Sequence, residues 1–314
     1  MPSQPAGQFV AGLEARLGRL NRLPKSQSLF DIAGRVRIYV RYSRTHNGCS
    51  TFYGLRRIDL MQLEGFPSFI CFLWDGQIAP LVVPYEDFRE IFASVEPAAD
   101  GQYKVQIEFG PEGTDMRLAR VGRFGVDSYF GIDRIVDLVQ QQPPSVRVPG
   151  LSHSQVQSLI AAIGSRTGHC IWAPMHDRSG MDASLFCISD MVERLPEFTA
   201  NVLRVLQQVD LIWIDRRRNV IAGAFEVEHS TPIYSGLLRL NDVHIDFKLP
   251  RAAVVAQEER RSVFFNQVNR RTFQASGLSE VCVFYEYTDI YEWFVRLFGT
   301  HPYLPESTTS SPQA

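Results

Sequence analysis

The chain has 314 residues, of which 45% are hydrophobic and 21% charged, and its formal net charge is −2. This length and composition predict packed cores in two domains of ordinary size. The near-neutral charge does not mark a nucleic-acid binder, and five scattered cysteines without a CxxC pair disfavour a zinc site or a disulfide framework. No signal-peptide core and no apolar run of membrane-spanning length occur, so we expect a soluble, cytoplasmic protein that does not bind membranes.

The first half of the chain is predicted to form a strand-rich α+β domain. An N-terminal helix and tail at 1–27 precede it. Charged and apolar residues then alternate at 35–43 and at 102–109, which is typical of half-buried strands. Residues 66–84 contain two apolar runs around an Asp-Gly turn. These features place the domain at residues 28–140.

A proline-rich, aperiodic stretch predicts a linker at 141–151, and a polar C-terminal tail at 301–314 is expected to be disordered. Between them, residues 152–300 alternate helical and strand patterns, which indicates an α/β (α+β) domain with a mixed sheet flanked by helices. The predicted elements are helix 152–168, strand 169–174, helix 198–207, strand 209–215, strand 220–230, helix 234–247, strand 251–257, helix 258–277, strand 281–287 and helix 289–299.

Three carboxylates lie on two consecutive predicted strands of this second domain. Asp210 opens the run VDLIWID, and AFEVEHS carries Glu226 and Glu228 one residue apart. Side chains alternate along a strand, so Glu226 and Glu228 point to one face. If the two strands pair through the intervening RRRN turn, Asp210 lies close to both glutamates. Three carboxylates at one sheet edge repel unless a cation neutralises them, and oxygen ligands suit Mg²⁺, or Mn²⁺.

An alternative reading is a solvated strand face, which is the usual setting of two glutamates in this spacing. The hairpin and the flanking helices favour the metal site over this alternative. A second cluster, APMHDRSG at 173–180, follows a strand end, where site residues often gather. Its His176, Asp177 and Arg178 favour a surface turn, and the alternative is a substrate contact or an extra carboxylate.

The order of elements and the three carboxylates resemble the PD-(D/E)XK nuclease superfamily, whose fold is that of restriction endonucleases. The resemblance covers roughly residues 152–299. It implies that Asp210 and Glu226 are metal ligands, and that Glu228 stands where the family usually has lysine, as a ligand or a water-orienting base. The glutamate is a departure also found in some restriction enzymes. The motif is loose, and many members of the superfamily have lost activity, so the fold alone does not prove cleavage.

Arginines near these elements are candidates for contacts to phosphate. Arg239 follows the second strand, and Arg260 and Arg270 flank polar residues on the predicted helix at 258–277. In the first domain, Arg44 and Arg56 lie among aromatic residues, a combination that suits nucleic-acid binding. Ordinary solvated faces explain these arginines about as well.

These observations predict a Mg²⁺-dependent DNA endonuclease of restriction or phage-defence type. Because duplex cleavage needs two cuts, a homodimer is expected. RNA is an alternative substrate. The alternative is a non-catalytic nucleic-acid-binding sensor or regulator on the same fold, and a protein without a nucleic-acid partner is a further rival.

Overall fold

In the computed structural model, the described residues are 4–23, 26–46, 48–111, 113–140, 148–229 and 232–304. Most of the predicted linker, residues 141–147, lies outside them, as does the end of the predicted tail, residues 305–314. The chain divides into two units, Met1–Pro144 and Ser145–Ala314.

The first unit is rich in strands, as the alternating patterns predict. Its elements are α1 (Gln4–Leu17), β1 (Leu20–Arg22), β2 (Leu29–Ile32), β3 (Val36–Ser43), β4 (Ser50–Arg56), α2 (Arg57–Met61), β5 (Ser68–Trp74), β6 (Leu81–Pro84), α3 (Tyr85–Ala93), β7 (Gln102–Gly110), β8 (Gly113–Leu118), β9 (Gly122–Gly125), a 3₁₀ turn at Asp127–Tyr129, and α4 (Asp133–Gln140).

Two sheets organise this unit. One has the strand order β1-β2-β3-β5-β6 and is mixed, because β3 and β5 are parallel while the other pairs are antiparallel. The other has the order β4-β7-β8-β9 and is entirely antiparallel. Alternate residues of the second sheet, such as Leu55, Val105 and Ile107, are buried in an apolar core that also contains Ile70 and Phe72 of β5.

The second unit alternates helices and strands. Its elements are α5 (His153–Arg166), β10 (His169–Trp172), α6 (Met175–Arg178), a 3₁₀ turn at Ile188–Asp190, α7 (Ala200–Leu206), β11 (Leu211–Asp215), β12 (Val220–Glu228), α8 (Ile233–Phe247), β13 (Ala252–Ala256), a 3₁₀ turn at Glu258–Arg260, α9 (Arg261–Val268), α10 (Arg271–Ser276), α11 (Leu278–Val281), β14 (Cys282–Glu286) and α12 (Tyr287–Phe298).

A five-stranded mixed sheet with the order β10-β11-β12-β13-β14 forms the centre of this unit. The first three strands are antiparallel neighbours, and β12, β13 and β14 are parallel. Helices α5 and α12 cover one face, where Trp213 donates a hydrogen bond to the carbonyl of Ile160 and packs edge-on against Trp293. Helices α7, α8 and α9 bury the other face. The predicted α/β class, with mixed sheets flanked by helices, is therefore confirmed.

The local signals place most elements correctly. Ser152 and Ser154 are both candidates for the cap of this helix in the sequence, and in the structure Ser152 caps α5 in a capping box with Gln155. The prediction of one helix over 258–277 is wrong, since the segment is broken into a 3₁₀ turn, α9 and α10. The side chain of Asn269 donates to the carbonyl of Phe265 at 2.8 Å and ends α9, and Arg270 is extended.

Candidate metal centre

Asp210 lies directly before β11 and opposite the end of β12. The strand register pairs Leu211 with Phe225, so Asp210 stands across from Glu226. The Asp210 carboxylate accepts a hydrogen bond from the backbone N–H of Val227, with 2.7 Å between Oδ2 and N. This bond fixes the carboxylate at the edge of the hairpin, beside the two glutamates.

Glu226 and Glu228 both point from β12 towards α8. Each is buried, with 0% and 1% of its surface exposed. The helix comes this close because residue 236 is glycine. A Cβ atom there would lie 2.5 Å from Glu228 Oε1 and 3.2 Å from the Cβ of Glu226. The glutamates are therefore packed beneath a helix, and the solvated strand face considered from sequence is not what the structure shows.

Arg239 is the residue that neutralises Glu226 in the structure. Its Nε and Nη2 atoms donate to the two oxygens of Glu226 at 2.9 and 2.6 Å, in a bidentate ion pair. The arginine follows Gly236 by about one helical turn, so the glycine that admits the helix also brings the guanidinium to the carboxylate. Its side chain keeps 28% of its surface exposed.

Burial dominates the electrostatics of these acids. It raises the pKa of Glu226 to about 8, while Arg239 opposes this shift and the charge of Asp210 adds to it. Burial likewise raises the pKa of Asp210 to about 6, opposed by the Val227 N–H and the nearby His153 and Arg239. The ion pair with Glu226 raises the pKa of Arg239 above its ordinary value. Both acids are thus held where a cation would stabilise their charged forms.

A second set of side chains that could hold a metal ion also includes Asp210. One ligand atom each from His153, Asp177 and Asp210 lies within 4.8 Å of the others. His153 is the first residue of α5, and Asp177 belongs to the short helix α6. The strand-end cluster at 173–180 contains the short helix α6 instead of a plain surface turn, and it brings Asp177 into this group, as the alternative of an extra carboxylate requires.

Gln157 holds the group together from one turn further along α5. Its Nε2 donates to Asp177 Oδ2 at 3.1 Å and to the backbone carbonyl of Asp210 at 3.3 Å. The side chain is completely buried, and within the described residues its Oε1 has no hydrogen-bond partner. Such an amide fixes the positions of two carboxylate-bearing residues at some energetic cost, which is typical of a built site.

The donor set fits a divalent cation. Asp210 is common to two sets, one with Glu226 and one with His153 and Asp177. Carboxylate oxygens suit Mg²⁺ and Mn²⁺, and an imidazole favours a transition metal. His153 has no pattern in the sequence that marks it as a ligand, because its role depends on where the start of α5 lies relative to β11.

The five predicted phosphate-binding arginines differ in their surroundings. Arg44 and Arg270 are exposed, and Arg270 lies over the ring of Tyr234. Arg260 donates to the backbone carbonyl of His229 at 3.2 Å. Arg56 forms two hydrogen bonds with the carboxylate of Asp59.

No helix among the described residues combines the length and apolarity that crossing a bilayer requires.

The chain was compared with known proteins. Residues 130–299 match the family described as the type II restriction enzyme NmeDI C-terminal domain. The type II restriction enzyme NmeDI of Neisseria meningitidis serogroup C is 29% identical in an alignment of 132 residues, which covers 39% of this chain and 37% of that protein. The aligned region thus spans little more than a third of the relative, and no solved structure matches significantly. Because the family match covers more than half of the chain, the chain belongs to the restriction-enzyme family of the NmeDI C-terminal domain.

Proposed function

We propose that this protein is a metal-dependent DNA endonuclease of restriction or phage-defence type, with the active site of the PD-(D/E)XK superfamily. The observation that carries the proposal is the meeting of Asp210 and Glu226 across neighbouring strands, with Glu228 two residues further on the same face. Membership in a restriction-enzyme family supports the same class of reaction.

In this proposal Asp210 and Glu226 hold the cation, and Glu228 is a further ligand or orients the attacking water. A bound divalent cation supplies a Lewis acid that lowers the pKa of water and offsets charge on the scissile phosphate. In hydrolysis, the water oxygen forms a bond to phosphorus, the bond to the leaving sugar oxygen breaks, and that oxygen gains a proton. Val227 keeps the Asp210 carboxylate oriented throughout through its N–H.

Arg239 acts as a counter-ion for Glu226 that a cation would replace. Its guanidinium is bidentate on the carboxylate and partly exposed, so it can turn to a phosphate oxygen once Glu226 binds metal. This movement would serve the phosphate contact that the sequence predicts for Arg239. The other predicted contacts, Arg260, Arg270, Arg44 and Arg56, stay proposals of the same kind.

Mg²⁺ or Mn²⁺ is the proposed cofactor. The Asp210 and Glu226 pair offers only oxygen ligands, which suits Mg²⁺. His153 beside Asp177 and Asp210 adds an imidazole, which favours Mn²⁺ over Mg²⁺ at that position. We therefore expect activity with both ions and tighter binding of Mn²⁺.

The experiment is a cleavage assay on unmodified plasmid and on modified phage DNA. The protein is incubated with Mg²⁺, with Mn²⁺ and with EDTA, beside Glu226→Ala and the exposed control Glu280→Ala. We expect wild type and the Glu280→Ala control to cleave DNA with the metal and not with EDTA. We expect Glu226→Ala not to cleave under either condition. Equal cleavage by the Glu226→Ala variant and wild type would refute the site. The DNA that is cut faster would show whether the enzyme acts on unmodified or on modified targets.

A second candidate function is DNA binding without cleavage. The ion pair of Arg239 with Glu226 favours it, because the guanidinium occupies both oxygens that would hold the metal. Its signature is salt-dependent DNA binding with intact DNA at every metal concentration. Sedimentation with and without DNA would test the proposed homodimer in the same samples.

A further inference from the structure

The outer face of the antiparallel sheet β4-β7-β8-β9 carries an unusual row of side chains. The strand register aligns Phe52 with Gln106, Gln106 with Arg117, and Arg117 with Arg123. Their neighbours along each strand point inward to the core, so this row points outward. An aromatic ring, an amide and two guanidinium groups thus cross the sheet in a single line.

A recess of about 600 Å³ lies in this face, beside the row. Residue 54, which lines the recess, is glycine, and a Cβ atom there would lie 1.7 Å from Oε1 of Gln102. The amide of Gln102 therefore lies across the strand where a side chain would otherwise stand. Pockets for small ligands have volumes of about 300 to 1,000 Å³, so the recess has the size of a nucleotide site.

The recess is positively charged. Lys104, Arg117 and Arg120 line it, and no acidic residue does so among the described residues. Lys104 pairs with Asp100, and Arg117 is 3.8 Å from Glu108 with 55% of its side chain exposed. Ion pairs whose cation is exposed contribute little stability, so both cations are available to a phosphate. The charge of the recess is therefore complementary to a nucleic-acid backbone.

Phe52 forms one wall of the recess and is 52% exposed. His46 is the only ring in contact with it among the described residues, edge-on with centroids 5.4 Å apart. An exposed phenyl ring beside guanidinium groups provides a face on which a base can stack. The side-chain amide of Gln106, which has no partner among the described residues, lies next to it and can hydrogen-bond the edge of a base.

Arg120 reaches the recess from a strained turn. The turn between β8 and β9 is closed by a hydrogen bond from the Val121 N–H to the Leu118 carbonyl, and Arg120 has a φ of 69°. Glycine or asparagine is normal at such a position, because a side chain with a Cβ is disfavoured there. An arginine at this position destabilises the turn, and a role of its side chain in the recess would explain why it is there.

We propose that this recess binds one unstacked nucleotide of a DNA strand, with the base on Phe52, Gln106 at its edge, and the phosphate on Lys104, Arg117 and Arg120. Four strands span about 14 Å between the outer two. The sheet is therefore too wide for the major groove, which is about 12 Å across. We therefore expect a base taken out of the stack, and not a paired base, to occupy the recess. The choice of DNA rests on the proposed function.

The test measures DNA binding by the whole 314-residue chain in EDTA, so that cleavage does not interfere. The probes are fluorescein-labelled random-sequence 15-mers as single strands, as paired duplexes, and as duplexes with one central mispair. Fluorescence anisotropy gives the affinity of wild type, Phe52→Ala, Phe52→Trp and the control Ile78→Ala, which removes a fully exposed apolar side chain elsewhere in the same unit.

We expect the single strand to bind more tightly than the paired duplex and the mispaired duplex to fall between them. Phe52→Ala should weaken single-strand binding about 5- to 150-fold, the range that one stacked base contributes. Phe52→Trp should restore it, and Ile78→Ala should have no effect. Arg117→Ala should reduce the salt dependence of binding, whereas Arg16→Ala, on the exposed side of α1, should not.

Unchanged single-strand affinity in Phe52→Ala would overturn the proposal, as would a paired duplex that binds as tightly as the single strand. The outcome is separate from the nuclease site, because binding is measured in EDTA, without cleavage, and Phe52, Arg117 and Ile78 all belong to the first unit. If the protein binds single strands through Phe52 but cleaves no DNA, the proposal for the recess stands and the proposed nuclease function fails.

Discussion

Replacing Glu226 by glutamine should change the pH dependence of stability in a defined direction. Burial raises the pKa of Glu226 from 4.5 to about 8, so the folded protein binds this proton more tightly than the unfolded chain. The stabilising contribution of the protonated acid is complete below pH 4.5 and is lost as the pH rises to 8. The shift corresponds to at most about 5 kcal/mol, at about 1.4 kcal/mol per pKa unit.

The Glu226→Gln variant lacks this titration but keeps an oxygen that can accept from Arg239. The pKa of Asp210 is raised from 3.8 to about 6. The stability that its protonated form contributes is therefore lost over a lower pH range, and this loss is the same in both proteins. Relative to wild type, the variant should therefore gain stability between pH 5 and pH 9. We expect a gain of about 2 kcal/mol or more, because the loss of the ionic partner of Arg239 offsets part of the effect.

Urea unfolding at pH 5, 7 and 9 in EDTA measures this difference. The exposed Glu280→Gln variant is the control and should follow wild type at each pH. Parallel curves for wild type and Glu226→Gln would refute the reasoning, because they would mean that Arg239 keeps the buried carboxylate ionised throughout. Adding Mn²⁺ at pH 7 should then stabilise wild type more than the variant.

Four further changes follow from the same contacts. Gly236→Ala should destabilise the fold by about 1 to 3 kcal/mol in urea unfolding and reduce cleavage, because the new methyl group meets Glu228 at 2.5 Å; unchanged unfolding would contradict the close packing of α8. Arg239→Met should cost about 3 kcal/mol at pH 9 and less at pH 5, where Glu226 is protonated, and an equal loss at both would count against that protonation. His153→Ala should weaken Mn²⁺ binding in calorimetry more than Mg²⁺ binding, and equal losses would remove the imidazole from the ligand set. Arg120→Gly should raise the free energy of unfolding by about 1 kcal/mol, and a loss would mean that the turn is unstrained.

Strand periodicity accounts for the part of the site that could be read from sequence. Because residues two apart share a face and a short turn returns the chain, Glu226, Glu228 and Asp210 could be brought together without knowing any tertiary contact. The cap at Ser152 is equally local.

The rest of the site depends on packing between distant elements. The strand end before Asp177 makes it a candidate for an extra carboxylate. Nothing near His153 in the chain indicates that α5 and α6 converge on Asp210, and Gln157 gains its role only from that convergence. Glu226 and Glu228 are buried because residue 236 is glycine and lets α8 pack closely against β12. The sequence indicates that a glycine allows such close packing, but it does not indicate that Glu228 is the neighbour. The helix is interrupted at Asn269 because the side chain of this residue makes a hydrogen bond that competes with the helix. The spacing of apolar residues does not reveal this interruption.

Cleavage by two variants of the same strand tests the nuclease assignment most directly. Asp210 and Asp215 stand at opposite ends of β11, and only Asp210 faces Glu226. On a DNA that wild type cuts with Mg²⁺ or Mn²⁺, we predict that Asp210→Asn loses cleavage by at least a hundredfold while Asp215→Asn retains it. Full cleavage by a folded Asp210→Asn variant would contradict the account.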